Sequence, residues 1–316
     1  MVEPRAVDDA ATTPLWRWPL PRKTPEQPLL VGYHAGCPDG ALAATLIRNA
    51  ARRDGIRIEF SALQAGSAPT LARASGRDVL LVDLCPRMDA MAALVENAAS
   101  VVVLDHHEGS REVAERWPGH VLLAEGRCGA WLAWELINGE AEPPPFVALI
   151  NDIDHYRVSD PLTAALAVLV RDANTPQKVR ALWGRFESTH AAVVAEAELA
   201  AAAWRARVER YADACTAAFM GDQPIHVVEL RGPDGPLASD VGNAIAARFG
   251  GIAVVFRRAG TTLRYSLRSE PGVGPPVHTL AAKYAGGGHR HAAGLISDKP
   301  LHRPQRVATD ADDAGC

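Results

Sequence analysis

At 316 residues, 48% of them apolar and 22% charged, the chain has the balance of a soluble protein with more than one domain. No apolar run reaches the ~18–20 residues that cross a bilayer and the acidic N-terminus lacks a signal peptide's shape, so the expectation is a cytoplasmic protein with no membrane partner. A net charge of −4 argues against a protein that tracks long nucleic acid, and five scattered cysteines, an odd number, argue against both a disulfide framework and a CxxC zinc site.

Residues 1–27, rich in proline and charge without periodicity, read as a flexible lead-in. Leu29–Tyr33 then forms a short buried strand that runs into His34-Ala35-Gly36-Cys37-Pro38-Asp39-Gly40 and a helix over Ala41–Ile47. Strand, glycine-bearing loop and helix together aim backbone N–H groups at an anion. Strands follow at Arg57–Leu63 and Asp78–Asp83, a helix at Met88–Ala98, and a strand at Val101–Leu104 that ends in Asp105-His106-His107. Short elements at Arg111–Arg116 and Val121–Leu123 precede helices at Gly129–Ile137 and Phe146–Ile150, the second delivering Asn151-Asp152-Ile153-Asp154-His155-Tyr156. Strands alternating with helices indicate βαβ units and a parallel sheet.

From Asp160 to Met220 the chain reads as alanine-rich helix, with a long connecting helix over Glu187–Phe219. A strand at Ile225–Leu230, a helix at Ser239–Phe249 capped by Ser239, and a hairpin of Ile252–Phe256 with Leu263–Arg268 follow. The run Gly286-Gly287-Gly288-His289 permits a backbone path barred to other residues and a close approach to a ligand. Residues 300–316 read as a disordered tail.

Acids and imidazoles therefore stand at four successive element ends: His34 with Asp39, Asp83, Asp105 with His106 and His107, and Asp152 with Asp154. One such end is an ordinary cap. Four carry a signal, because clustered carboxylates repel one another unless divalent ions neutralise them, and mixed imidazole and carboxylate donors suit Mn²⁺, Fe²⁺ or Zn²⁺.

The ordered motifs HAGCPDG, LLVDLCP, VLDHHEG, NDIDHYR and GGGHRHAAG resemble those of the DHH phosphoesterase superfamily with its DHH-associated C-terminal domain, over residues 29–297. The resemblance implies an α/β protein: a parallel-sheet DHH domain over 28–185, a helical linker over 186–220, and a smaller α/β domain over 221–299, with an active-site cleft between the domains. It implies two Mn²⁺ ions, with Mg²⁺ or Co²⁺ as substitutes. Matching motif positions give His34, Asp39, Asp83, His106 and Asp152 as metal ligands, Asp105 as the group that orients a histidine, and His107 near substrate or activated water. They make Gly286, Gly287, Gly288 and His289 a phosphate cradle, joined by Arg268 and Ser269, with His289 also catalytic. Asp154 falls where the family motif varies. Cys37 stands where many members carry a first acid, and leaves open a soft ligand, a spectator, or a vacancy that water fills. The implied activity is metal-assisted hydrolysis of a phosphodiester or phosphomonoester of a short nucleotide or oligonucleotide. Pyrophosphate or polyphosphate hydrolysis and a non-catalytic phosphoryl-ligand binder are the alternatives, and a homodimer is compatible with the sequence.

Overall fold

The computed structural model describes residues 16–158 and 160–304 of the chain. It divides into two compact units, residues 1–201 and 202–316. Among the described residues no helix is long and apolar enough to cross a membrane.

The first unit is built on a parallel sheet of β1 (Leu29–His34), β2 (Ile58–Leu63), β3 (Asp78–Val82), β4 (Ser100–Asp105) and β5 (Val121–Leu123), in the order β2-β1-β3-β4-β5. The continuous apolar runs are explained by burial on both faces. Leu80, Val82, Val102 and Leu104 enter one apolar layer, while Val79, Leu81, Val101 and Val103 enter the other. Each such side chain withdrawn from water contributes about 1.5–3 kcal/mol, so the central strands anchor whatever stands at their ends. Around the sheet lie α1 (Pro38–Arg53), α2 (Leu71–Ala74), α3 (Met88–Asn97), α4 (Arg111–Arg116), α5 (Gly129–Asn138) and α6 (Pro145–Asp154). After β1 the chain turns to β2 on one side, then returns to β3 on the other. The carboxyl ends of β1 and β3 thus flank the point where strand order reverses, the place where open α/β sheets seat ligands.

The helical region predicted after Asp160 comprises α7 (Pro161–Asp172), α8 (Pro176–Ser188) and α9 (His190–Asp213). The expected single helix over Glu187–Phe219 is broken at Thr189 and stops at Asp213; Thr216 to Met220 is strand instead. Its alanines favour helix locally, but Ala218 and Met220 are buried in the core of the second unit, and sheet pairing overrides propensity.

The lead-in is also more ordered than expected: residues 1–15 lie outside the described residues, but Trp18 and Leu20 enter the main apolar layer. Asp78, only 1% exposed, ties this segment down. It accepts hydrogen bonds from the Lys23 and Thr24 N–H groups, the Thr24 and Ser100 hydroxyls and the Arg22 guanidinium. Burial opposes its charge, but the Ser100 hydroxyl and the Thr24 and Lys23 donors outweigh that and hold it at about 2, below the usual 3.8. A depressed carboxyl contributes stability above its unfolded value and loses it as pH falls through the folded one, here about 2 kcal/mol. Asp78→Ala should therefore cost about 3 kcal/mol near neutrality, by urea unfolding, because five donors lose their acceptor. The gap to the wild type should narrow by about 2 kcal/mol toward pH ~2; a gap that holds constant with pH would overturn this assignment.

The second unit is a seven-stranded mixed sheet of β6 (Thr216–Met220), β7 (Gln223–Glu229), β8 (Ile252–Ala259), β9 (Thr262–Arg268), β10 (Gly287–His289), β11 (Ala292–Ser297) and β12 (His302–Pro304), ordered β10-β11-β9-β8-β7-β6-β12. Between the parallel neighbours β7 and β8 runs α10 (Ala238–Phe249), and α11 (Val277–Ala282) precedes the glycine run. Ser239 does not cap α10: it lies inside the helix, its hydroxyl accepting from Arg268 at 2.7 Å. Residues 302–304 of the expected tail pair with β6, while 305–316 lie outside the described residues.

Candidate metal centre

Three strand ends and three helix ends of the first unit converge on Asp83. This residue adopts φ +60° immediately after β3, a left-handed conformation that is uncommon without glycine and that clusters at functional sites. It is 1% exposed, as is Asp39, which lies in the first turn of α1. The Asp39 carboxylate accepts from the N–H groups of Gly129 (2.6 Å) and Ala130 (2.7 Å), so the amino end of α5 grips it. Main chain closes the cage on two sides. A Cβ at Gly129 would lie 2.4 Å from that of Asp83, and one at Gly40 would lie 2.5 Å from the His34 carbonyl oxygen.

His106 Nε2 stands 3.2 Å from Asp83, 3.4 Å from Asp154 and 3.8 Å from Asp39, with three carboxylates facing one ring nitrogen. His34 Nδ1 approaches Asp83 Oδ2 to 3.4 Å, yet both atoms are buried and neither makes a hydrogen bond. Asp105 is fully buried, accepting from the Ser110 hydroxyl and pairing with His107 Nδ1 at 2.8 Å. Beside these residues opens a cavity of about 220 Å³ lined by Asp83, Arg87, Asp105, His107 and Ser110 among others.

The electrostatics follow from this packing. Burial raises Asp39 well above the usual carboxylate range, and the charges of Asp83 and Asp154 add to it. Burial likewise raises Asp154. Burial works against charge on Asp83 too, but His106 and His34 beside it hold it at about 2. The hydrogen bond to Asp105 lifts His107 to about 9. His34 is raised by the neighbouring Asp83 carboxylate.

The structure thus brings His34, Asp39, Asp83 and His106 together. Asp152 is turned away, half-exposed and paired with Arg157 at 3.0 Å, while Asp154 faces the cage. The reason is helical geometry. In α6 the inward face runs Val147, Ile150, Asn151, Asp154, at spacings i, i+3, i+4, i+7, and Asp152 lies on the opposite side. That periodicity was available in the sequence and singles out Asp154. Asn151 on the same face accepts from the Cys128 N–H at 2.7 Å and so seats α5. Ser110, His155 and Gly129 are further members of the site that motif matching passed over.

In the second unit, Gly287–His289 is an exposed edge strand rather than a loop, paired with β11. Gly288 has φ +139°, and Gly286 lies so close to β11 that a Cβ would fall 2.4 Å from that of Leu295. Arg268 ends β9 and donates to Ser239. Ser269 is 3% exposed and engaged, donating to the Pro275 carbonyl at 2.7 Å with His291 Nδ1 at 2.9 Å, so its hydroxyl is not offered to a ligand. The Ser269 expectation is corrected accordingly: the end of the strand points Arg268 and Ser269 to opposite sides, and Ser269 takes the inner one.

The donor set tests whether divalent cations fit here. One buried oxygen and one ring nitrogen, Asp83 Oδ2 and His34 Nδ1, face each other without a hydrogen bond in a cage carrying three carboxylates, which is what a cation would satisfy, and the mixed oxygen and nitrogen donors suit first-row divalent metals.

No protein-family model matches the chain, and no curated protein matches it. Among solved structures it is similar to exonuclease RecJ bound to manganese, at 16% identity and a TM-score of 0.51 over 84% of this chain and 85% of that one. It is also similar to the pGpG-specific phosphodiesterase PggH of Vibrio, at 13% identity and a TM-score of 0.47 over 85% and 92% of the two chains. A third is RecJ of Thermus thermophilus in complex with Mn²⁺, at 18% identity and a TM-score of 0.46 over 84% and 49%. Four of the five ordered motifs end β1, β3, β4 and α6 and the fifth lies on β10, and the chain shares the fold of the manganese-bound RecJ structure.

Proposed function

We propose that the protein is a metal-dependent phosphoesterase that hydrolyses a phosphodiester or phosphomonoester of a short nucleotide or oligonucleotide. One observation supports the reading: His106 Nε2 faces three carboxylates and has at most one proton to give them, an arrangement that divalent cations would neutralise. His34, Asp39, Asp83, His106 and Asp154 would hold the ions, Mn²⁺ by preference and Mg²⁺ or Co²⁺ in substitution. Cations held there would supply charge neutralisation at phosphorus and a water acidic enough to act near neutral pH. Asp83 is the residue placed to be shared, because its two oxygens face His106 and His34 separately.

The remaining residues position and donate. Asp105 fixes the His107 ring through Nδ1, leaving Nε2–H to point a proton at a phosphate oxygen or the departing alkoxide. The cavity beside His107 and Arg87 gives a substrate group room next to that proton. In the second unit Gly287, Gly288, His289 and Arg268 are suited to meet phosphate oxygens, whereas the Gly286 N–H is already donated to the Ala281 carbonyl at 2.9 Å and Gly286 serves the close approach of the backbone. A net charge of −4 favours a short substrate held locally over a long strand followed electrostatically.

The test is turnover of a panel with Mn²⁺: short oligonucleotides, cyclic dinucleotides, nucleoside bisphosphates and pyrophosphate, each against chelator-treated protein and a His106→Asn variant. Manganese-dependent product from nucleotide substrates, absent in both controls, is expected. Equal product from the variant, or none with any substrate, would overturn the proposal.

A further inference from the structure

We infer that Cys37 is a sulfur ligand of the site formed with His34 and Asp83, so that this site prefers a thiophilic divalent ion such as zinc or cobalt. The inference rests on the phosphoesterase reading and goes beyond it in assigning a sulfur donor to one half of the centre.

The geometry favours a ligand over a spectator or a vacancy. One donor atom each from His34, Cys37 and Asp83 lies within 4.8 Å of the others. Two of those residues contribute the orphaned atoms, His34 Nδ1 and Asp83 Oδ2, which sit 3.4 Å apart without a hydrogen bond. Donors about 2.0–2.3 Å from a tetrahedral ion stand roughly 3.3–3.8 Å from one another, so this spacing is that of ligands awaiting a shared ion. The third corner is sulfur. Cys37 occupies the N-cap position of α1 without a side-chain capping bond, and burial, with the charges of Asp83 and Asp39, holds its thiol well above the usual range, so the sulfur keeps its proton until a cation displaces it. On metal binding the thiol releases its proton to solvent and a sulfur–metal bond replaces the S–H bond.

The preference is confined to one half of the centre. The neighbouring group of His106, Asp154 and His155 offers only nitrogen and oxygen. A nitrogen–sulfur–oxygen set suits zinc or cobalt, whereas the set around His106 suits manganese as well, so the protein is expected to hold two unlike ions.

Cobalt(II) added to metal-free protein reads this directly. Wild-type protein should show visible d–d bands together with a near-ultraviolet thiolate-to-cobalt band. Cys37→Ser and Cys37→Asp should each lose the near-ultraviolet band and keep the d–d bands, while Cys85→Ser and Cys128→Ser keep both. Visible bands shifted from and stronger than those of aqueous cobalt(II) in either Cys37 variant also show that its site has formed. If wild-type protein gives d–d bands with no thiolate band, or if the band survives in the Cys37 variants, the sulfur ligand is refuted while the metal centre stands. If the visible spectrum stays that of aqueous cobalt(II), the metal centre and the proposed function fail together.

Discussion

Asp83→Asn should lower manganese-dependent turnover by about a thousandfold or more, with a loss of bound metal, while the protein still folds. Removing a single preorganised charge-stabilising group commonly costs about 10²–10³ in rate, and this carboxylate faces two histidines, His34 and His106, rather than one. Asparagine is the informative replacement. Asp83 sits at φ +60°, a conformation asparagine adopts readily and alanine adopts at a cost of roughly 1–2 kcal/mol, so Asp83→Ala would mix backbone strain with lost chemistry. The amide also preserves volume beside Gly40 and Gly129, where there is no slack. Steady-state kinetics with metal analysis and circular dichroism distinguish the outcomes. Wild-type turnover in a folded, metal-depleted variant would remove Asp83 from the reaction.

Divalent cations should stabilise the first unit strongly, and chelation should reverse the effect. Without them Asp39, Asp83 and Asp154 face one another in a cage where two are 1% exposed, a like-charge assembly that burial has already pushed toward protonation at Asp39 and Asp154. An ion that binds only the folded form adds about 2.7 kcal/mol per site at a hundredfold excess over its dissociation constant. In a unit of roughly 200 residues this corresponds to a rise of about 5–10 °C in Tm. Differential scanning calorimetry with manganese, zinc and chelator measures it. The shift should shrink in Asp83→Asn, and an unchanged melting temperature with all three additions would show that the cage does not bind ions.

The first unit was legible because its strands are buried on both faces. Uninterrupted β-branched and leucine runs such as Val101–Leu104 are read directly, and the polar residues that end them fall at the carboxyl edge of a parallel sheet. Less legible was anything decided by partners distant in sequence. Trp18 looked like part of a loose lead-in because its packing against residues of the main layer, and its hydrogen bond to Asp54, involve chain far downstream. Thr216–Met220 looked helical because alanine's local preference is visible and the pairing with β7 is not. Motif position and helical spacing point to different acids on α6: the motif matches Asp152, whereas the 147, 150, 151, 154 face brings Asp154 to His106.

The glycines at positions 40 and 129 bear on ion size. Because peptide backbone rather than a side chain borders Asp83 on two flanks, the cage is expected to favour a small guest. Calcium, which gathers six to eight oxygens at about 2.3–2.6 Å, would need just that expansion, whereas smaller transition-metal ions with fewer neighbours would not. Discrimination by radius would thus rest on two residues that touch no ion, and a side chain introduced at either would displace the Asp83 carboxylate.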